Sequence, residues 1–267
     1  KFVKWAKSKK ASQPIYELAP EAHRAKVGTP TMGGVVFIFS TIIATILTAK
    51  LSNFYVVGGL VCLFLFSLIG MQDDFSKISK AKNSAGLSAR AKLVLQFICA
   101  GIVGFVLYKF GHPSDLYTPF IKFSIFNMGI FSILFWMVVM VAASNAVNLT
   151  DGLDGLATVP SIMAFFTLSI LVYVTGHAIF PSYLLLPNIQ TVGELVIIGT
   201  AICGSLIAFL WFNSHPAEIF MGDSGSLPLG AFMGYMAIVA KSEILLLAIG
   251  FIFVLETVSV ILQVGSY

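Results

Sequence analysis

Eight separate apolar stretches dominate this chain, at 33–50, 54–72, 92–110, 129–147, 157–176, 193–212, 226–240 and 244–264. A hydrocarbon core about 30 Å thick is crossed by about 20 apolar residues in helical form. Inside lipid every backbone N–H and C=O must find a partner within the protein, so stretches of this length read as helices. Only 10% of the 267 residues are charged and 58% are hydrophobic, which excludes an ordinary water-soluble domain. The expected fold is all-α, one polytopic transmembrane helical bundle of about eight spans forming a single domain over residues 1–267. The seventh stretch is short, and only Lys241, Ser242 and Glu243 part it from the eighth, so that pair also reads as one broken hairpin.

Alternating the spans places residues 1–32, 73–91, 148–156 and 213–225 on one side. With Lys92 at its edge, that side carries twelve of the 16 basic residues, against Lys50, Lys109, Lys122 and Lys241 on the other. The positive-inside rule makes the first side cytoplasmic. The net charge of +4 then reflects orientation and attraction to anionic headgroups, and nucleic acid is not an expected partner. Cys62, Cys99 and Cys203 lie within apolar stretches and read as packing residues, not as a disulfide framework. The chain opens on Lys1 and reads as a fragment or a processed form. On the outer side, the alternation of apolar and polar residues over 120–126 predicts a short strand or hairpin within the 111–128 loop.

Five of the twelve acids, Asp73, Asp74, Asp151, Asp154 and Asp223, fall on the cytoplasmic side at the ends of different spans. Each cluster has a plain structural reading taken alone. Asp73-Asp74 suits a helix cap, and the glycine-aspartate pairs at 151–155 and 221–225 suit turns. Their convergence at one membrane boundary is what points to chemistry. A three-residue spacing brings Asp151 and Asp154 to one face of a helix, Gly152 and Gly155 let backbone approach a ligand, and flexible glycines flank the Asp223 carboxylate as a presented Mg²⁺ ligand. Carboxylates gathered against hydrocarbon repel one another and lose solvation, so they stay ionised only beside cations. Mg²⁺ fits best, because it takes oxygen ligands from one or two carboxylates together with substrate phosphates. Lys26, Lys77, Lys80 and Lys82 lie on the same side to meet a diphosphate, or serve only as orientation charges. The turn Gly28–Gly34, with Thr31, either lines a polar pocket or simply enters the membrane at Pro30. Asn145 and Asn148 both donate and accept hydrogen bonds just ahead of Asp151. Phe220 suits stacking on a base or plain anchoring. Glu256, deep in the last span, is an intramembrane acid and so a functional candidate.

Lys26 with GTPTMGG at 28–34, the Asp73-Asp74 pair, NAVNLTDGLDGLA at 145–157 and PAEIFMGDSGSLPLG at 216–230 follow one another in this order. Together they resemble the phospho-N-acetylmuramoyl-pentapeptide transferase family, within the polyprenyl-phosphate sugar-phosphate transferases. The resemblance covers nearly the whole chain. It implies that UDP-N-acetylmuramoyl-pentapeptide passes its sugar phosphate to undecaprenyl phosphate, giving lipid I and UMP with Mg²⁺. It also implies a homodimeric, ten-span protein of the bacterial cytoplasmic membrane, with its active site facing the cytoplasm. The family's first and last spans, and a histidine-rich loop, have no counterpart in this sequence. By motif, Asp223 would hold Mg²⁺ and Asp73 would be the base or nucleophile, supported by Asp74. Lys26, Thr31, Asn145, Asn148, Asp151 and Asp154 would line the phosphate and sugar region, and Lys77, Asn213 and Phe220 the nucleotide. Direct attack by the lipid phosphate and a route through an aspartyl intermediate both fit these residues. A sister enzyme using UDP-N-acetylglucosamine is the near alternative. An ion or solute transporter is the distant one, and the absence of an internal repeat counts against it.

Overall fold

The computed structural model describes residues 29–80, 85–119, 121, 123–184 and 186–266. The described chain runs α1 (Gly33–Thr48), α2 (Phe54–Lys80), α3 (Ala89–Lys109), β1 (Asp115–Leu116), β2 (Phe126–Asn127), α4 (Phe131–Thr150) and α5 (Thr158–Gly176). It continues through α6 (Phe180–Leu184), a 3-10 turn (Val192–Leu195), α7 (Val196–Asn213), α8 (Asp223–Val239), α9 (Leu246–Ile249) and α10 (Phe251–Gly265). The protein is thus an all-α polytopic helical protein, and each apolar stretch of the sequence forms helix. Five helical stretches, α2, α3, α4, α5 and Val192–Asn213, are long and apolar enough to cross a membrane. The helices α1 and α10 are apolar but shorter, with 16 and 15 residues.

The helix α8 differs from the others in kind. Every residue from Ser224 to Val239 is buried, so it presents no face to solvent or lipid. A helix that is apolar all round belongs in the middle of a bundle, and α8 packs chiefly against α4 and α2, with α1 and α5 completing the ring. Close approach at its first turn depends on missing side chains. A Cβ on Gly34 of α1 would lie 2.2 Å from the Gly225 Cα, and one on Gly70 of α2 would lie 2.1 Å from the Asp223 carbonyl oxygen. Small residues let helix backbones meet in this way where lipid offers little apolar drive to association. The outer faces carry Phe39, Leu47, Phe105, Phe166 and Ile261 exposed, the apolar surface that a hydrocarbon surround accepts.

At the end of α8 remote from Asp223, the expected hairpin forms, with β1 antiparallel to β2. Only Phe126 of the alternating 120–126 segment takes part in it, and residues 120 and 122 lie outside the described residues. Between the helices of the seventh and eighth stretches the chain turns at Lys241, which has φ 54°, and α10 packs against α4. The Lys241 ammonium group pairs with Glu243 at 3.1 Å, donates to the Pro113 carbonyl at 3.0 Å and lies 5.5 Å from the centre of the Trp136 ring. Beside it, His112 Nδ1 meets the Tyr55 hydroxyl and Nε2 meets the Ile238 carbonyl, each at 3.1 Å.

Candidate active site

The last turns of α2 and the first turn of α8 meet where Asp73, Asp74 and Asp223 each bring one oxygen within 4.8 Å of the others. Asp73 and Asp74 lie inside α2, so neither caps that helix. Asp74 instead caps α8: its carboxylate accepts from the Asp223 N–H at 3.2 Å and the Ser224 N–H at 2.9 Å. An anion is favoured there by the free amides and the helix dipole. Gly222, at φ 74°, supplies the turn ahead of α8, and a Cβ on it would lie 2.6 Å from Asp74 Oδ2 and 2.8 Å from Thr31 Oγ1. Thr31 is thereby placed in the wall of the site, buried. The Pro30–Gly34 segment is stitched to the Asp223 loop, since the Gly33 and Gly34 N–H groups donate to the Phe220 and Met221 carbonyls at 2.9 Å.

Two lysines and an asparagine complete the cluster. Lys77 Nζ lies 2.6 Å from Asp73 Oδ2 and 3.3 Å from Asp223 Oδ2, and Lys92 Nζ lies 3.4 Å and 2.5 Å from the same atoms. Asn148 Nδ2 donates to Asp223 Oδ1 at 2.9 Å and to Ser226 Oγ at 2.8 Å. The second Asp73 oxygen accepts the Leu87 N–H at 2.8 Å. Burial alone pushes the Asp223 carboxyl up, but contact with Asp73 and the ammonium groups of Lys92 and Lys77 outweighs it and holds the group well below the usual carboxylate range. Among the described residues no ammonium group offsets the burial of Asp151. Burial first, and then the charges of Asp223 and Asp74, push its carboxyl well above the usual range. Among the described residues the carboxylates of Asp73, Asp74 and Asp223 therefore face the ammonium groups of Lys77 and Lys92, and the donor set is hard and oxygen-rich. That is what a divalent cation such as Mg²⁺ requires.

The helical face expected of Asp151 and Asp154 does not form. The helix α4 ends at Thr150, residues 151–157 are a run of turns, and Gly155 takes φ 72°. Asp151 turns toward Asp223 and Asp74, while Asp154 accepts from the Ala217 N–H at 3.3 Å and lies 3.0 Å from His215 Nδ1. Asn213 is buried and fully engaged, accepting from Gly155 N–H and Thr158 Oγ1 and donating to the Ile219 carbonyl. It braces the loops around the site. Asn145 lies one turn deeper than Asn148, its amide held by Gln96 and the Val141 carbonyl. Phe220 is half-buried beside the Asp223 loop, and Lys26 lies outside the described residues. Glu256 is half-buried on α10 and takes no part in the cluster. The contribution of Lys92 is not evident from loop motifs, where it counts only as an orientation charge. Its signal is position, a lysine in the first turn of an apolar span that faces acids.

Comparison with known proteins places this arrangement in a class. Residues 54–241 match glycosyl transferase family 4, and residues 26–38 match phospho-N-acetylmuramoyl-pentapeptide-transferase signature 1. The chain is 76% identical over its full 267 residues to the phospho-N-acetylmuramoyl-pentapeptide-transferase of Aliarcobacter butzleri, spanning 76% of that protein. The enzymes of the same name from Campylobacter lari and Nitratiruptor sp. are 59% and 60% identical, again across all of this chain and 76% of theirs. The chain belongs to the phospho-N-acetylmuramoyl-pentapeptide transferases within glycosyl transferase family 4.

Proposed function

We propose that this membrane protein makes lipid I for peptidoglycan, moving phospho-N-acetylmuramoyl-pentapeptide from its UDP donor to undecaprenyl phosphate at the Asp73–Asp74–Asp223 cluster. The observation that carries the site assignment is the convergence of three described carboxylates at the start of α8, beside Lys77 and Lys92. Asp223, with Asp73 and Asp74, would hold Mg²⁺, whose chemistry is to neutralise the diphosphate as charge shifts to the leaving group. In the transfer, an oxygen of the lipid phosphate bonds to the sugar-bearing phosphorus as that phosphorus parts from the bridging oxygen, and UMP leaves. The nucleophile is already anionic, so positioning and charge neutralisation supply most of the rate. Lys77 and Lys92 are placed to turn from the carboxylates to the phosphates. Direct attack by the lipid phosphate and a route through an aspartyl intermediate both fit these residues.

The lysine and arginine asymmetry of the sequence supports a cytoplasmic site in the bacterial inner membrane, and we assign a homodimer on the family resemblance alone. Asp223→Asn tests the metal role, because an amide keeps the shape and loses the charge. UMP release is expected to fall by roughly a thousandfold or more and not to be recovered at any Mg²⁺ concentration. Wild-type turnover with an unchanged Mg²⁺ dependence would remove the assignment.

A further inference from the structure

Gln96 is fully buried on α3, and no part of the mechanism uses it. Its Oε1 accepts from Asn145 Nδ2 on α4 at 2.7 Å, and its Nε2 donates in return to Asn145 Oδ1 at 3.4 Å. Further along the same helix pair the contacts carry no such mark. Gly101 faces Met137 and Gly104 faces Ile133. Apolar and glycine surfaces can pack at several neighbouring registers, whereas a reciprocal amide pair is satisfied at one. Sliding the helices leaves buried amides without partners.

The register matters because of what lies one turn away on each helix. Lys92 precedes Gln96 by four residues on α3, and Asn148 follows Asn145 by three on α4, so each pair shares a helix face. The two outer members grip opposite oxygens of one carboxylate. Lys92 Nζ lies 2.5 Å from Asp223 Oδ2, and Asn148 Nδ2 lies 2.9 Å from Oδ1. We propose that the Gln96–Asn145 pair is a register lock between α3 and α4 that presents Lys92 and Asn148 to the two sides of Asp223, making Gln96 a positioning residue for the transfer. Asn145 is thereby a partner in the lock and not a contact to the donor. The proposal rests on Asp223 being at the centre of the site.

The test is Gln96→Leu, which keeps volume and removes the amide, compared with the exchanged pair Gln96→Asn/Asn145→Gln, which restores the combined length of the two amides. Detergent-purified enzyme is assayed for UMP release over a range of donor concentrations, with the unfolding midpoint measured alongside. A misplacement of about 1 Å at a reacting centre costs up to about a hundredfold. Gln96→Leu is expected to lower kcat by about ten- to a hundredfold, with KM for the donor within about threefold, and to lower the midpoint modestly because the Asn145 amide loses its partner. The exchanged pair is expected to regain most of the rate. Wild-type kcat in Gln96→Leu overturns the lock, and so does an exchanged pair no faster than Gln96→Leu. If Gln96→Leu does not survive purification, Gln96→Asn, which withdraws the amide by one methylene, takes its place in the comparison. Asp223→Asn is run beside them. Its wild-type turnover removes the site reading itself, whereas a dead Asp223→Asn beside a fully active Gln96→Leu removes only the lock.

Discussion

Both ends of α8 bury charged groups, and they do so by opposite arrangements. At the far end one cation meets one anion: Lys241 pairs with Glu243, and the Pro113 carbonyl and the Trp136 ring take up its remaining donors and its positive charge. His112 is held neutral there between Tyr55 and Ile238. At the near end, among the described residues, Asp73, Asp74 and Asp223 outnumber Lys77 and Lys92. A matched buried pair holds a fold in one arrangement, whereas an unmatched cluster remains ready for a charged ligand. Burial of charge alone therefore does not mark an active site; the imbalance does.

Three measurements break or sharpen this contrast. The largest effect is expected at the near end. Asp73→Asn should slow single-turnover UMP release by roughly a thousandfold while donor binding stays within a few-fold, because the group acts in the transition state. Near-normal release would return Asp73 to a structural role. At the far end the expectation inverts. Lys241→Met leaves Glu243 buried without its cation and should destabilise the protein by about 3–5 kcal/mol, read as a lower unfolding midpoint in detergent, with kcat of the folded enzyme preserved. Pairing it with Glu243→Gln should recover much of the loss, and an equal loss in the double variant would show that the ion pair is not what Lys241 contributes.

The smallest effect is in pH. Burial first and the Lys241 charge second push His112 down to about 3, against about 6.5 in an unfolded chain. Between these values the unfolded state binds the extra proton, so the His112 contribution to stability is complete above pH 6.5 and drains away as pH falls toward 3. The expected loss is about 2 kcal/mol by pH 5. Replacing His112 with Asn should flatten that slope of the unfolding midpoint between pH 7 and pH 5. An unaltered slope would mean that the acid sensitivity arises elsewhere.

How much of this was legible in the sequence follows from what each feature depends on. Hydropathy is a local property, so the helical stretches and their apolar character stand out at once, as do glycines that crowd Asp223. The paired reading of Asp151 and Asp154 failed because Gly152 and Gly155 release the chain from helix just where spacing alone continues it. The roles of Lys92 and Gln96, and the bracing role of Asn213, were hidden for another reason. Each works through a partner at least 49 residues away, as the Gln96–Asn145 separation shows, and helix register across a bundle is not written in either helix alone. The far-end network was equally unreadable, since Lys241 and Glu243 look like ordinary loop charges until the chain folds over them.

The helix α2 has a consequence of scale. Its 27 residues make a rod about 40 Å long at 1.5 Å per residue, longer than the roughly 30 Å of hydrocarbon it crosses. With Phe54 at one boundary of the hydrocarbon, Asp73 would be reached after about 30 Å, at the level where acyl chains give way to headgroups. An acceptor whose phosphate floats at that depth need not be lifted out of the bilayer to be used, and the sugar-bearing donor need not enter it. The two substrates, one greasy and one water-soluble, share a reaction plane that the length of a single helix sets.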